Sequence, residues 1–189
     1  MILPQPGITR PLTTTIWVGV LNEETGERLP ISAESTTVPI HTLRLNADQP
    51  TPDPDPLATG IGAQVGDWGT LETANLHHAE NTVALTLHWT LSGTPPADYW
   101  QFIHLIDESE QLAAQLDRPP DPWLATGLWR PGDVFVHRYT LELPPDLPAG
   151  TYTVRTGLFD PTGGTRAPLV LNGDPVPEDS LIVGELTLP

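Results

Sequence analysis

In the segment NTVALTLHWTL, residues 81–91, every second side chain is apolar: Val83, Leu85, Leu87 and Trp89 fall on one face, Ala84, Thr86, His88 and Thr90 on the other. A period of two predicts a strand with one buried face, because successive side chains of an extended backbone point to opposite sides. The pattern recurs along the chain. DVFVHRYTLEL sets Phe135, His137, Tyr139, Leu141 and Leu143 against Val134, Val136, Arg138 and Thr140; GTLETANLHH precedes it, and TYTVRTGLF and SLIVGELTL follow. YWQFIHLIDESEQLAAQLD reads as two strands joined at a polar tip, residues 107–110. Only SEQLAAQL has helical composition, and it is too short to stand alone and falls where a returning hairpin arm belongs. The 23 prolines and 16 glycines lie between the apolar runs and not in one block, so they punctuate strands with turns. These features predict an all-β fold from about residue 63 onward: an immunoglobulin- or fibronectin-like antiparallel sandwich of about seven strands.

One stretch is written twice. TTTIWVGVLNEETGERLPI, residues 13–31, returns 138 positions later as TYTVRTGLFDPTGGTRAPL, with Thr13, Thr15, Gly19, Gly26, Arg28 and Pro30 recurring as Thr151, Thr153, Gly157, Gly164, Arg166 and Pro168. VPIHTLRL answers SLIVGELTL in the same way. Because residues 151–188 read as the last two strands of the sandwich, residues 1–46 are expected to form an additional N-terminal two-stranded ribbon resembling the end of a preceding module. Residues 47–62 read as a Pro/Asp-rich linker, stiffened by proline at every other position from Pro50 to Pro56. Residues 63–189 are the sandwich. A lone two-stranded ribbon is marginal in water, so its apolar face is expected to be covered by the following sandwich, by a second chain or by strands of a longer tandem array; docking on the following sandwich is the leading expectation. In LPPDLPAGTYTV a proline-rich corner precedes Tyr152, where such sandwiches place a tyrosine whose hydroxyl ties the corner down.

Charge narrows the partners. Twenty-four acidic residues face eight arginines and no lysine, for a net charge of −16. That field repels nucleic acid and anionic lipid but tolerates cations and neutral sugars. Without cysteine there is no disulfide, thiolate metal site or cysteine nucleophile. No apolar run approaches the about 18 residues of a membrane span, so membrane attachment is expected only through a parent chain.

Catalytic motifs are missing from the sequence: there is no G-x-S-x-G elbow, P-loop or Rossmann fingerprint, and the chain is expected not to be an enzyme and to need no cofactor. Acidic turns offer hard oxygen ligands, and Asp107, Glu108 and Glu110 are the candidate calcium ligands. His77 and His78 are adjacent and point to opposite faces; His88 and His104 are expected on neighbouring strands, with His104 a hydrogen-bonded structural residue. Among six tryptophans, Trp89 belongs to the core pattern and Trp17 lies on the ribbon face opposite Ile16 and Val18. Trp123 and Trp129, in DPWLATGLWRPGD, together with Tyr99 and Trp100, form the candidate ligand-binding patch, since exposed indoles are platforms for sugar rings and protein contacts. The competing reading is that these rings cap the ends of the sandwich.

The run from residue 98 to 166 resembles the accessory β-sandwich modules found C-terminal to the membrane domain of bacterial dolichyl-phosphate-mannose-mannosyltransferase-like glycosyltransferase proteins. The phrases that carry the resemblance are an F-x-H-L hairpin ending in Asp, residues 102–107; Gln-x-Asp ahead of prolines, residues 115–117; a W-x-P-G turn, residues 129–132; and L-P-x-G-x-Y leading into G-L-x-D, residues 147–160. The resemblance implies a non-catalytic extracytoplasmic module of a larger membrane-anchored protein, in contact with protein or glycan; the alternative is a fragment of a carbohydrate-active enzyme using loop carboxylates. Those modules usually carry Asp-Gly at the hairpin tip, where this chain has ESEQ.

Overall fold

The segments that alternate apolar and polar side chains form strands. A computed structural model describes residues 11–32, 35–45 and 57–189, and the chain divides into two units, Met1–Pro50 and Thr51–Pro189. The first holds β1 (Leu12–Leu21), β2 (Arg28–Leu29) and β3 (Thr37–Leu45). The second holds β4 (Thr59–Val65), β5 (Gly69–Ala79), β6 (Thr82–Leu91), β7 (Trp100–Asp107), β8 (Leu112–Arg118), β9 (Val134–Glu142) and β10 (Gly150–Phe159), then β11 (Leu169–Leu171), β12 (Asp174–Pro175) and β13 (Leu181–Leu188).

In the second unit, a four-stranded sheet in the order β13-β10-β7-β8 faces a six-stranded sheet in the order β12-β11-β4-β5-β6-β9. Val83, Leu85, Leu87 and Trp89 of β6 are at most 1% exposed, as their spacing predicts. They share one core with Phe135, Tyr139 and Leu141 of β9 and with Leu105, Val154, Leu158 and Val183 of the opposite sheet. That shared core is what makes the two sheets a sandwich.

The structure departs from the sequence reading in three places. β4 starts at Thr59, inside the stretch read as linker; its glycines, and the register shift they allow between Gly60 and Ala63, hide the alternation. Residues 46–56, which carry the proline ladder, lie outside the described residues. Residues 151–188 read as two strands only, but the segment between β10 and β13 contains β11 and β12, and β11 pairs with β4, so the chain crosses to the other sheet before returning. Strands of two or three residues are too short to show a period. Finally, β6 and β7 are consecutive in sequence but lie in different sheets, which separates His88 from His104 instead of placing them on neighbouring strands.

Local chemistry closes the turns. At the β7–β8 tip the Asp107 carboxylate accepts the backbone N–H groups of Ser109 (2.8 Å) and Gln111 (2.9 Å), and Glu110 takes φ +59°. The Tyr152 hydroxyl donates to the Pro148 carbonyl at 2.8 Å and ties down the proline-rich corner.

The first unit repeats the form of β10 and β13 in backbone detail. β1 pairs antiparallel with β3 from Leu12↔Leu45 to Gly19↔Thr37, with a bulge between Ile16 and Trp17. β10 pairs with β13 with a bulge between Val154 and Arg155, the positions that align with Ile16 and Trp17. After β1, Asn22 N–H donates to Glu27 O and Gly26 N–H to Asn22 O; after β10, Asp160 N–H donates to Thr165 O and Gly164 N–H to Asp160 O. Gly26 and Gly164 sit at φ +72° and +73°, a left-handed conformation that favours glycine. β2 reproduces the single Phe159↔Arg166 bridge as Leu21↔Arg28.

Candidate functional site

Between β8 and β9 the chain makes a long excursion, and hydrogen bonds from distant residues hold it. Its 3-10 turn, Thr126–Leu128, is fastened to the segment before β7: the Thr126 hydroxyl accepts the Tyr99 N–H (2.6 Å) and donates to the Ala97 carbonyl (3.1 Å), while Asp98 Oδ1 accepts the Gly127 N–H (2.8 Å). Thr126 is buried, so the two bonds of its hydroxyl are partly shielded from competing water, while the Asp98–Gly127 bond is exposed. Upstream, the buried carboxylate of Asp121 accepts the Trp123 N–H at 2.7 Å. The backbone is thereby fixed while the Trp123 side chain stays outside: 64% of the residue is exposed, with Leu128 at 40% in the same excursion.

The four residues of the expected aromatic patch differ in exposure and in the rings they meet. Trp123 is a solvent-facing indole. Trp100, 37% exposed at the start of β7, meets the Phe159 ring edge-on at 6.4 Å. Tyr99 is half-buried and stacks on Trp68 at 5.9 Å; burial, aided by the Asp160 carboxylate, pushes its phenol pKa up. Trp129 does not belong to a surface patch at all. It is 0% exposed, with ring centroids 4.8 Å from Phe135 and 5.6 Å from His137, because the chain turns inward after the 3-10 turn and packs this indole on the inner face of β9. For Trp129 the structure corrects the ligand-binding assignment: it is a core residue.

The three candidate calcium ligands are also engaged separately. Asp107 folds its own turn. Glu108 Oε1 accepts the Thr151 N–H at 3.4 Å, and both oxygens of Glu110 bind the Arg155 guanidinium, at 2.9 and 2.7 Å. Among the described residues no group of three or more His, Cys, Asp or Glu side chains is placed to hold a metal ion.

His104 Nε2 lies 3.2 Å from Asp117 Oδ1, and its ring is 4.8 Å from Phe102. Burial lowers its pKa and outweighs the pull of Asp117, with Arg166 adding to the lowering. Arg166 in turn covers the Phe102 ring, its guanidinium carbon 4.6 Å from the centroid. Phe102 is only 1% exposed although it points away from the shared core. Sequence patterning missed this outer cluster, because a cation above a ring leaves no periodic trace.

The fold defines the class: an all-β protein whose second unit is a sandwich of antiparallel sheets. No protein-family model matches the chain, and no curated protein matches it. Among solved structures it is similar to a chain described as a calcium-binding mutant of Bacteroides uniformis beta-glucuronidase 2, at 14% identity and a TM-score of 0.33, covering 62% of this chain. The match spans 15% of that protein's length.

Proposed function

We propose that the protein is a non-catalytic contact module that works outside the cytoplasm as part of a larger membrane-anchored protein, and that the Trp123 excursion receives a neutral sugar ring. One observation carries the reading: Trp123 is 64% exposed on a backbone pinned by Asp121. A large apolar ring on a fixed backbone, with only two side-chain torsions to order, gains contact area against the apolar face of a pyranose. The net charge of −16 favours an uncharged glycan over an acidic one. The extracytoplasmic, membrane-anchored setting is what the sequence resemblance implies.

A glycan array tests this directly. The wild-type chain is expected to retain a set of neutral glycans, and Trp123→Ala to lose at least about tenfold in affinity without a change in melting temperature. A wild-type chain that ignores every glycan, or a Trp123→Ala chain that binds as well, overturns the sugar-binding reading.

A further inference from the structure

We propose that ordered water is bound inside the sandwich, along the side where β8 and β9 end their sheets, with the Tyr139 hydroxyl as its anchor. Tyr139, Trp129, Trp89 and Gln101 are each at most 2% exposed, yet the Tyr139 hydroxyl, both indole N–H groups and Gln101 Oε1 have no hydrogen-bond partner among the described residues. A polar group that enters a core without a partner forfeits its bonds to water, so buried polar groups in folded proteins are as a rule paired.

The four residues are linked by contacts across the core. β8 ends one sheet and β9 the other, and Arg118 at the end of β8 reaches from the first to the second. It donates to the Arg138 carbonyl of β9 at 2.9 Å and sets its guanidinium carbon 4.9 Å from the Tyr139 ring centroid. On β7, Gln101 is the register partner of Arg118. Tyr139 and Trp129 both meet the His137 ring, with centroids at 6.5 and 5.6 Å, and Trp89 pairs in register with Phe135, which stands 4.8 Å from Trp129.

Their chemistry selects the guest. An indole N–H only donates, an amide oxygen only accepts, and a phenol does both. The amide of Gln101 is oriented by its own bonds: Nε2 donates to Thr156 Oγ1 (2.7 Å) and to the Gly157 carbonyl (2.8 Å), and a carbonyl can only accept, so Oε1 is the atom left over. Burial pushes the Tyr139 pKa up, against the pull of Arg118, so the phenol keeps its proton to donate. Water is uncharged, fits a packed core, and can accept from the indoles, donate to the amide oxygen and do either with the phenol. This inference concerns buried groups of one unit and does not rest on the Trp123 reading.

Oxygen-17 relaxation dispersion of the solvent tests this on the full chain, since it registers water molecules held inside a protein for longer than the protein takes to tumble. The wild-type chain is expected to hold such waters and Tyr139→Phe to hold at least one fewer. Tyr152→Phe, which removes a hydroxyl that donates to the Pro148 carbonyl, serves as the control and is expected to match the wild type. Tyr139→Phe should also melt about 3 °C lower, because a hydroxyl bonded to water is lost; deleting an unpaired one would leave the melting temperature unchanged or raise it. No long-lived water in the wild type, the same number in Tyr139→Phe, or a Tyr139→Phe chain that melts at or above the wild-type temperature would each overturn the proposal. Should that variant fail to fold, a high-resolution crystal structure of the wild type decides: water density within hydrogen-bond distance of the Tyr139 hydroxyl upholds the site, and bare protein there overturns it.

Discussion

Leu158 in β10 and Val20 in β1 hold the same place in two copies of one strand, yet the first is 1% exposed and the second 53%. The copies agree in bulge, turn and glycine conformation, and differ in what lies over them. Backbone form at this scale is thus written locally, by an Asx-type turn, a left-handed glycine and alternating side chains, while burial depends on strands supplied from elsewhere. One ribbon has its β7 and its facing sheet; in the other, Ile16, Val18, Val20, Val38 and Ile40 are 39% to 59% exposed.

The largest expected effect tests that difference in burial. Leu158→Ala should destabilise the sandwich by about 2–5 kcal/mol, whereas Val20→Ala should change its stability by no more than about 0.5 kcal/mol, both read from urea unfolding. Equal losses would break the comparison. The next effect concerns Gly157, where a Cβ would lie 2.7 Å from the Phe102 ring and 2.8 Å from the Asp179 carbonyl oxygen: Gly157→Ala should cost about 1–3 kcal/mol through overpacking, and adding Phe102→Leu should recover only part of it, because the Asp179 carbonyl remains.

A smaller effect separates the corners. Tyr152→Phe removes the donation to Pro148 and should cost about 1 kcal/mol, while Thr14→Tyr, its mirror in the ribbon, should bring no matching gain.

The smallest is a pH effect. Asp160 Oδ1 accepts the Thr162 hydroxyl (2.6 Å) and N–H (2.8 Å), and these bonds hold its pKa below the ordinary 3.8. Its folded-state pKa is depressed, so its contribution is present above about pH 3.8 and is lost as pH falls through the folded value. Asn22 builds the same turn with an amide, accepting from Glu24 N–H (2.9 Å) and Thr25 N–H (3.2 Å). Asp160→Asn should therefore move the acid-unfolding midpoint to lower pH, measured by circular dichroism. An unchanged midpoint would show that the turn's charge does not matter.

Much of the fold was legible in the sequence because strands of seven or more residues carry a period, except β4, whose glycines hide it. The face containing Val83, Leu85, Leu87 and Trp89 is buried as its spacing predicts, and the returning arm of SEQLAAQL is a strand, not a helix. The candidate site was legible only in part. Trp123 and Trp129 stand six positions apart in one irregular segment with no period to orient them, and one is 64% exposed while the other is 0%. The bonds that decide their fates involve Asp121 for the first and packing on Phe135 and His137 for the second. The bonds that fasten their segment join residues 27 to 29 positions apart, beyond the reach of any local pattern.

By itself, the order of residues determined the strand periodicity, the turn chemistry and the twofold writing of one ribbon, since each depends on side chains within a few positions of one another. Tertiary structure alone decided which tryptophan faces water, which sheet each strand joins, and that Gly157 is covered by the Phe102 ring. Those outcomes depend on neighbours far away in sequence, brought together only when the apolar faces leave water.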